Sequence, residues 1–312
     1  MVRKLFVRVI WVVISLIVLW TLAFEAVAVK PTLVVDIVYL LKPSQPCPQN
    51  EARAGYLNFL TEGSLSSDFR SKIRLVERDA SGYYLWETPR GRFWMPKSDD
   101  FLLPDLLAEQ QRGIYRYEAA RVLAGDVVLD CGAHVGLFTR EALSQGAGLV
   151  IAIEPAPDNI ECLRRNFAAE IAAGKVIVYP KGVWDRDATL VLHEVDGNSA
   201  RDTFVMDRGI STRPVPVPLV PIDELVSELG LQRVSFIKMD IEGAERKAVL
   251  GARDTLRRYK PRLALCAYHV RGDPEAISAE VLSIVPSYRR TCGSCFKSPS
   301  RLRMVPEVLF FY

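Results

Sequence analysis

The longest apolar run lies at the start of the chain. Val9 to Phe24 is 16 residues without a charge, and the run continues to Val29 with only Glu25 interrupting. As a helix, Val9 to Val29 reaches about 31 Å, the depth of one hydrocarbon core. Arg3, Lys4 and Arg8 precede it, and Trp11 and Trp20 lie within it. The pattern predicts a single-pass N-terminal transmembrane helix. A cleaved signal peptide ending near Ala26-Val27-Ala28 and a buried core helix are the alternatives. Thr32 to Leu41 is a second apolar stretch, too short to span and broken by Asp36. It is expected to lie at the interface or to re-enter it.

Lys42 to Ala54 contains Pro43, Pro46 and Pro48 and reads as a linker. Tyr83-Tyr84-Leu85-Trp86 and Arg92-Phe93-Trp94-Met95 flank Thr88-Pro89-Arg90-Gly91, which predicts a β-hairpin packed under the main domain. From Gly125 onward strands and helices alternate. Strands are expected at Val127–Asp130, Leu149–Ile153, Val176–Tyr179, Val234–Met239, Arg262–Tyr268, Arg289–Cys292 and Val305–Phe311. Helices are expected at Leu137–Gln145, Asp158–Ala173, Ala244–Leu256 and Glu275–Val285. Such alternation predicts an α/β, doubly wound, mostly parallel sheet with helices on both faces. Thr189–Val195 and Val215–Val220 read as an inserted strand pair. Pro214, Pro216 and Pro218 alternate in the second strand and call for an open edge. Asp196 to Arg213 between them is a polar loop, either over the site or on the surface. The domain expectation is an anchor over 1–41, a linker and hairpin region over 42–109, and the α/β domain over 110–312.

Composition changes the picture only when the chain is divided. The 312 residues hold 40 basic and 37 acidic side chains, a net charge of +3. Residues 1–41 alone contain 31 hydrophobic residues and +2 of that charge. The remainder is nearly neutral, with the composition of an ordinary globular domain. A nucleic-acid partner is not expected, because no basic excess is present.

The candidate chemistry lies at the ends of predicted strands. Asp130-Cys131-Gly132-Ala133-His134-Val135-Gly136 follows a strand and precedes a helix. Glycines at such a turn let a ligand approach the backbone. The dinucleotide spacing fails, since its second and third glycine positions are His134 and Leu137. That argues against a nicotinamide oxidoreductase. A ligand without pyrophosphate fits better, and S-adenosylmethionine has a cationic amino-acid end suited to a strand-end acid. Glu154-Pro155 ends the next strand, where an acid can accept both ribose hydroxyls. Asp240, Glu242 and Glu245 follow the Phe236–Met239 run. Glu242 and Glu245 also suit a helix N-terminus electrostatically, leaving Asp240 as the stronger functional candidate. Tyr268-His269 ends the fifth strand, where a histidine can serve as a base near neutral pH.

These residues resemble the FkbM-type family of S-adenosylmethionine-dependent methyltransferases over about residues 110–312. The resemblance rests on Asp126 to Gly136, on Ala152-Ile153-Glu154-Pro155, on Ile237-Lys238-Met239-Asp240-Ile241-Glu242-Gly243-Ala244-Glu245 and on Tyr268-His269. The family usually has Asn where this chain has His134. The resemblance implies a seven-stranded, Rossmann-like class I methyltransferase fold and methyl transfer to a hydroxyl. It further implies that Asp130, Gly132, His134, Gly136 and Glu154 bind S-adenosylmethionine. Asp240, Glu242 and His269 would be catalytic and face the acceptor, a glycan, lipid-linked or other small molecule. A metal at Asp240 is conceivable, but the sequence displays no complete ligand set and none is expected.

Cys131, Cys162 and Cys266 fall in core-like positions and suggest scattered free thiols, and Cys292-Gly293-Ser294-Cys295 lacks a second pair for zinc. There is no Asn-x-Ser/Thr acceptor. Both features favour a cytoplasmic catalytic domain, against the weak positive-inside signal. The leading expectation is a membrane-anchored O-methyltransferase. A catalytically inactive, membrane-tethered binding protein retaining the fold is the alternative.

Overall fold

A computed structural model describes residues 29–195, 202–205 and 212–312. The N-terminal part holds helices Leu33–Leu41, Gln49–Phe59 and Glu62–Lys72. A three-stranded antiparallel sheet follows, made of β1 (Arg74–Arg78), β2 (Tyr83–Thr88) and β3 (Gly91–Pro96). Helix Leu103–Arg112 then leads to the alternating region. Its strands are β4 (Val127–Cys131), β5 (Leu149–Ile153), β6 (Val176–Tyr179), β7 (Gly182–Val183), β8 (Ala188–Val195) and β9 (Thr212–Val220). They continue with β10 (Phe236–Met239), β11 (Arg262–Cys266), β12 (Arg290–Cys292), β13 (Cys295–Lys297), β14 (Met304–Pro306) and β15 (Val308–Phe311).

Seven of these strands make the central sheet, in the order β12-β15-β11-β10-β4-β5-β6. β4, β5, β6, β10 and β11 run parallel, and β15 is antiparallel to both its neighbours. This is the expected doubly wound, Rossmann-like class I sheet. Alternate side chains enter opposite layers, which is why the strands read as continuous apolar runs. Leu129, Ile151, Ile237 and Leu263 join one core, and Val128, Val150, Phe236 and Ala264 join the other. The chain winds outward in both directions from β4 and β10. Their carboxyl ends therefore flank the crevice where such sheets bind ligands.

The expected hairpin is β2–β3. It packs beneath the main domain through Phe93 and Met95, which meet Val135, Leu137 and Cys162. β8 and β9 form the inserted antiparallel pair. β7 meets β9 only at Leu219 and Val220, past the last proline, so the proline run is paired on one side, as its missing donors require. Most of the Asp196–Arg213 loop lies outside the described residues.

Several expectations are corrected. Residues 9–28 of the expected anchor lie outside the described residues. Among the described residues no helix is long and apolar enough to cross a membrane. The membrane localisation is therefore not upheld, and the placement of the domain on one side of a bilayer falls with it. Thr32 to Leu41 packs against the domain rather than standing apart from it. It contains the nine-residue helix Leu33–Leu41, whose Val35 and Val38 are buried in the core. Asp36, which seemed to interrupt it, is held by Arg53 at 2.6 Å and Gln49 at 3.0 Å. The linker reading survives only before Gln49, where a helix begins. The expected helix Ala244–Leu256 breaks into Glu245–Leu250 and Arg253–Tyr259 at Gly251, where a Cβ would lie 2.0 Å from the Trp184 carbonyl oxygen. Asp158–Ala173 likewise divides at Phe167, whose ring fills the core beside Gly136.

The cysteines are not all free. Cys47 and Cys292 form a disulfide across 245 positions of sequence, and the other four thiols are buried. Closing so long a loop restricts the unfolded chain strongly. Cys47→Ser is expected to lower unfolding free energy by about 2–5 kcal/mol, read from urea titration without reductant. A change below about 1 kcal/mol would show that the bridge adds nothing to the packing around it.

Candidate active site

A cleft of about 910 Å³, counted to its open mouth, lies at the carboxyl ends of β4, β5 and β10. One side is built by the turn after β4. Gly132 has φ +76° and Gly136 φ +96°, both left-handed, where glycine carries no steric cost. A Cβ on Gly132 would stand 1.9 Å from the Asp240 carbonyl oxygen, so this turn packs directly on the end of β10. Gly132, Ala133 and His134 line the cleft. Gly136 is not among its lining residues and instead passes against the Phe167 ring.

His134 also takes a left-handed conformation, with φ +52°. Asn and His are enriched there, so the departure from the usual Asn preserves the turn. Its backbone N–H donates to Glu154 Oε2 at 2.7 Å, while Glu154 Oε1 accepts the Ala156 N–H at 3.0 Å. Glu154 thus sits rigidly at the end of β5, with carboxylate lone pairs remaining beside the cleft. Burial raises its pKa, and the two backbone donors and His134 work against that rise.

Asp130 is placed differently from the sequence expectation. It is fully buried and not among the lining residues. Thr139 donates to its Oδ2 at 2.7 Å, and Lys238 Nζ stands 3.2 Å from its Oδ1. Lys238 also donates to the Gly132 carbonyl at 2.7 Å. Asp130 therefore acts on the glycine turn through Lys238 rather than on a ligand directly. Burial raises the Asp130 pKa, opposed by the lysine charge.

The other side of the cleft is lined by Asp240 and Glu242, and the buried His269 stands behind them without lining it. Asp240 Oδ2 accepts the Tyr115 hydroxyl at 2.6 Å. Its Oδ1 lies 3.4 Å from His269 Nε2, and Glu242 Oε1 lies at the same distance from that nitrogen. Glu242 has φ +52°, an unfavourable conformation for a glutamate, and its carbonyl accepts the Thr203 hydroxyl at 2.8 Å. Burial favours the neutral Asp240 acid, but Lys238 and His269 outweigh it and hold its pKa below the usual carboxylate range. Burial likewise favours neutral His269, but Glu245 and Glu242 raise its pKa well above the usual histidine value. These surroundings favour the imidazolium, the opposite of what the expected neutral-pH base needs.

Two contributors, Tyr115 and Glu109, escaped the sequence reading, and two more, Glu245 and Lys238, were seen in it without their partners. Glu245, only 1% exposed, bonds His269 Nδ1 at 2.9 Å and also accepts the backbone N–H groups of Ile241 and Gly243, each at 3.0 Å. It braces both the Glu242 loop and the imidazole. Lys238 was visible in the motif, but its partners were not. Tyr115 and Glu109 come from a segment with no motif at all. Burial and the Asp240 charge push the Glu109 pKa well up, favouring its neutral form at the cleft wall. Helix Leu103–Arg112, which carries Glu109, crosses the expected boundary at 109/110.

The family model for the methyltransferase FkbM domain matches residues 130–292, slightly more than half of the chain, running from the end of β4 to the end of β12 and so leaving out β15. The chain belongs to the FkbM methyltransferase family. Among FkbM relatives, the 31-O-demethyl-FK506 methyltransferase FkbM of Streptomyces tacrolimicus is 25% identical over 167 residues, covering 45% of this chain and 64% of the relative. Methyltransferase 1 of Beauveria bassiana is 26% identical over 159 residues, covering 44% and 63%. The chain thus spans less than two thirds of the length of these curated relatives. The solved structure of Methyltransferase FkbM from Methylobacillus flagellatus KT has a TM-score of 0.45 and 23% identity, over 69% of this chain and 55% of that one.

Proposed function

We propose that this FkbM-family protein is an S-adenosylmethionine-dependent O-methyltransferase whose acceptor is a hydroxyl on a small molecule or glycan. The observation that carries this reading is the two-sided cleft. Glu154 and the left-handed glycine turn stand on one wall, and Asp240 and Glu242 stand on the other, with His269 behind them. The first wall suits a nucleoside. Ile153, Pro155, Leu192 and Phe204 supply apolar surface, and Glu154 offers fixed acceptors to ribose hydroxyls. The S. tacrolimicus relative, named for methylating an oxygen of FK506, supports a hydroxyl acceptor.

When bound, S-adenosylmethionine supplies an activated methyl group on a sulfonium sulfur. This chain's residues then mainly position. Gly132 to His134 lets the ligand lie against backbone, and Glu154 fixes its rotation. The carboxylates of Asp240 and Glu242 receive the hydrogen of an entering hydroxyl, and the charged surroundings of His269 hold those carboxylates in place. Alignment of this kind is a large part of bimolecular catalysis. Tyr115, whose pKa burial and Asp240 push well up, keeps its proton and fixes the Asp240 rotamer.

Calorimetry on the purified protein should show S-adenosylmethionine binding. Glu154→Ala should weaken it about 10–100-fold, the loss of hydrogen bonds to a charged acceptor. Folded protein that binds no cofactor would sink the reading. Labelled-methyl transfer to a cell extract should disappear in Asp240→Asn and His269→Ala while cofactor binding persists. Mass spectrometry of glycans and small molecules with and without the gene then identifies the acceptor by its methyl mass difference.

A further inference from the structure

We infer that Asp240, Glu242 and His269 form a binding site for one first-row divalent cation such as Zn²⁺ or Mn²⁺. Their three ligand atoms lie within 4.8 Å of one another, and all three residues are half-buried or deeper.

The histidine is the observation that points to a ligand. Its side chain is 3% exposed, and Nε2 makes no hydrogen bond although it is aimed between two carboxylates. A proton shared there as a charge-assisted hydrogen bond draws nitrogen and oxygen to about 2.7–2.9 Å. Both separations are 3.4 Å instead. That spacing suits a cation between them, because a tetrahedral ion with bonds of about 2.1 Å holds its ligands roughly 3.4 Å apart.

Each ligand is also braced from behind. Glu245 stands 2.9 Å from His269 Nδ1, the carboxylate–histidine arrangement that fixes the tautomer and aims Nε2 at a metal. Tyr115 occupies Asp240 Oδ2 and leaves Oδ1 on the histidine side. The left-handed backbone at Glu242 turns that residue into the same cleft, and Thr203 anchors its carbonyl. A mixed nitrogen and oxygen donor set favours zinc or manganese over magnesium. Three protein ligands leave a position open, as in catalytic rather than structural sites. That position opens on the acceptor wall, where an acceptor oxygen would bind. This last step rests on the methyl-transfer reading, whereas cation binding does not.

The test is calorimetry of the purified full chain, stripped with chelator, titrated with ZnCl₂, MnCl₂ and MgCl₂. The expected result is one Zn²⁺ or Mn²⁺ site per chain with micromolar or tighter affinity, and Mg²⁺ at least tenfold weaker. Glu242→Gln and Asp240→Asn should each weaken binding at least tenfold, with circular dichroism confirming the fold. Glu245→Gln, which touches no cation, should weaken it 10–100-fold. No binding by the folded native chain, or unchanged affinity in Glu242→Gln, overturns the site. Glu154→Ala keeps the two readings separate. It should lose S-adenosylmethionine affinity and retain the cation, so failure of cofactor binding leaves the cation result standing.

Discussion

Arg112→Met is expected to lower unfolding free energy by about 3–5 kcal/mol, the cost of breaking a buried ion pair from one side. The guanidinium is fully buried. It forms a fork on Glu307, with Nη1 to Oε2 at 2.9 Å and Nη2 to Oε1 at 3.2 Å. Nη2 also bonds Glu62 at 3.0 Å, and Nη1 reaches Ser294 at 2.9 Å and Asn58 at 3.2 Å. One side chain thus joins the N-terminal helices to the segment entering β15. Methionine fills much of the volume but leaves Glu307 buried beside Glu62 with no cation. Urea unfolding measures the loss. The paired change Arg112→Met with Glu307→Leu should recover part of it, since replacing both partners removes the stranded charge. A single-variant loss below about 1 kcal/mol would contradict this account.

The second large effect is expected at Gly132. Gly132→Ala should weaken S-adenosylmethionine binding at least 100-fold and reduce stability by about 2–5 kcal/mol. Two costs act together. The φ of +76° is unfavourable for any L side chain, and the new Cβ meets the Asp240 carbonyl oxygen at 1.9 Å. Neither backbone can yield freely. The Gly132 N–H bonds the Ile153 carbonyl at 3.0 Å, and the Asp240 N–H bonds the Cys131 carbonyl at 3.1 Å. Relief must therefore move the turn that lines the cleft. Gly82→Ala separates the two costs, because Gly82 has φ +89° but nothing within 4 Å of an added Cβ. It should lose about 1–2 kcal/mol and leave cofactor binding intact. Equal cofactor affinity in native protein and Gly132→Ala, measured by calorimetry, would refute the close-approach argument.

Much of the sheet was legible because each signal is local. β5 and β6 fall on the boundaries that the apolar runs predict. Gly132, Glu154, Asp240 and Glu242 could be placed by strand-end position alone. The same local reading erred where a neighbour distant in sequence decided the outcome. Gly251 reads as one more helical position until Trp184 lies against it. Asp36 reads as a break in an apolar run until Arg53 answers it.

By itself, the amino-acid sequence determined the alternation of buried strands and amphipathic helices, and the left-handed glycine turn after β4. It also determined the acids at neighbouring strand ends, because periodicity and backbone sterics act over a few residues. Only the tertiary structure decided what those residues touch. It buried Asp130 behind Lys238, joined Tyr115 to Asp240 across 125 positions, and bridged Cys47 to Cys292 across 245. It also set Glu245 behind His269 and brought Asp240 and Glu242 to equal distances from its outer nitrogen. The reason is physical: partner choice is governed by distance in space, and the winding of the sheet brings the ends of β4, β10 and β11 together only when the whole core closes.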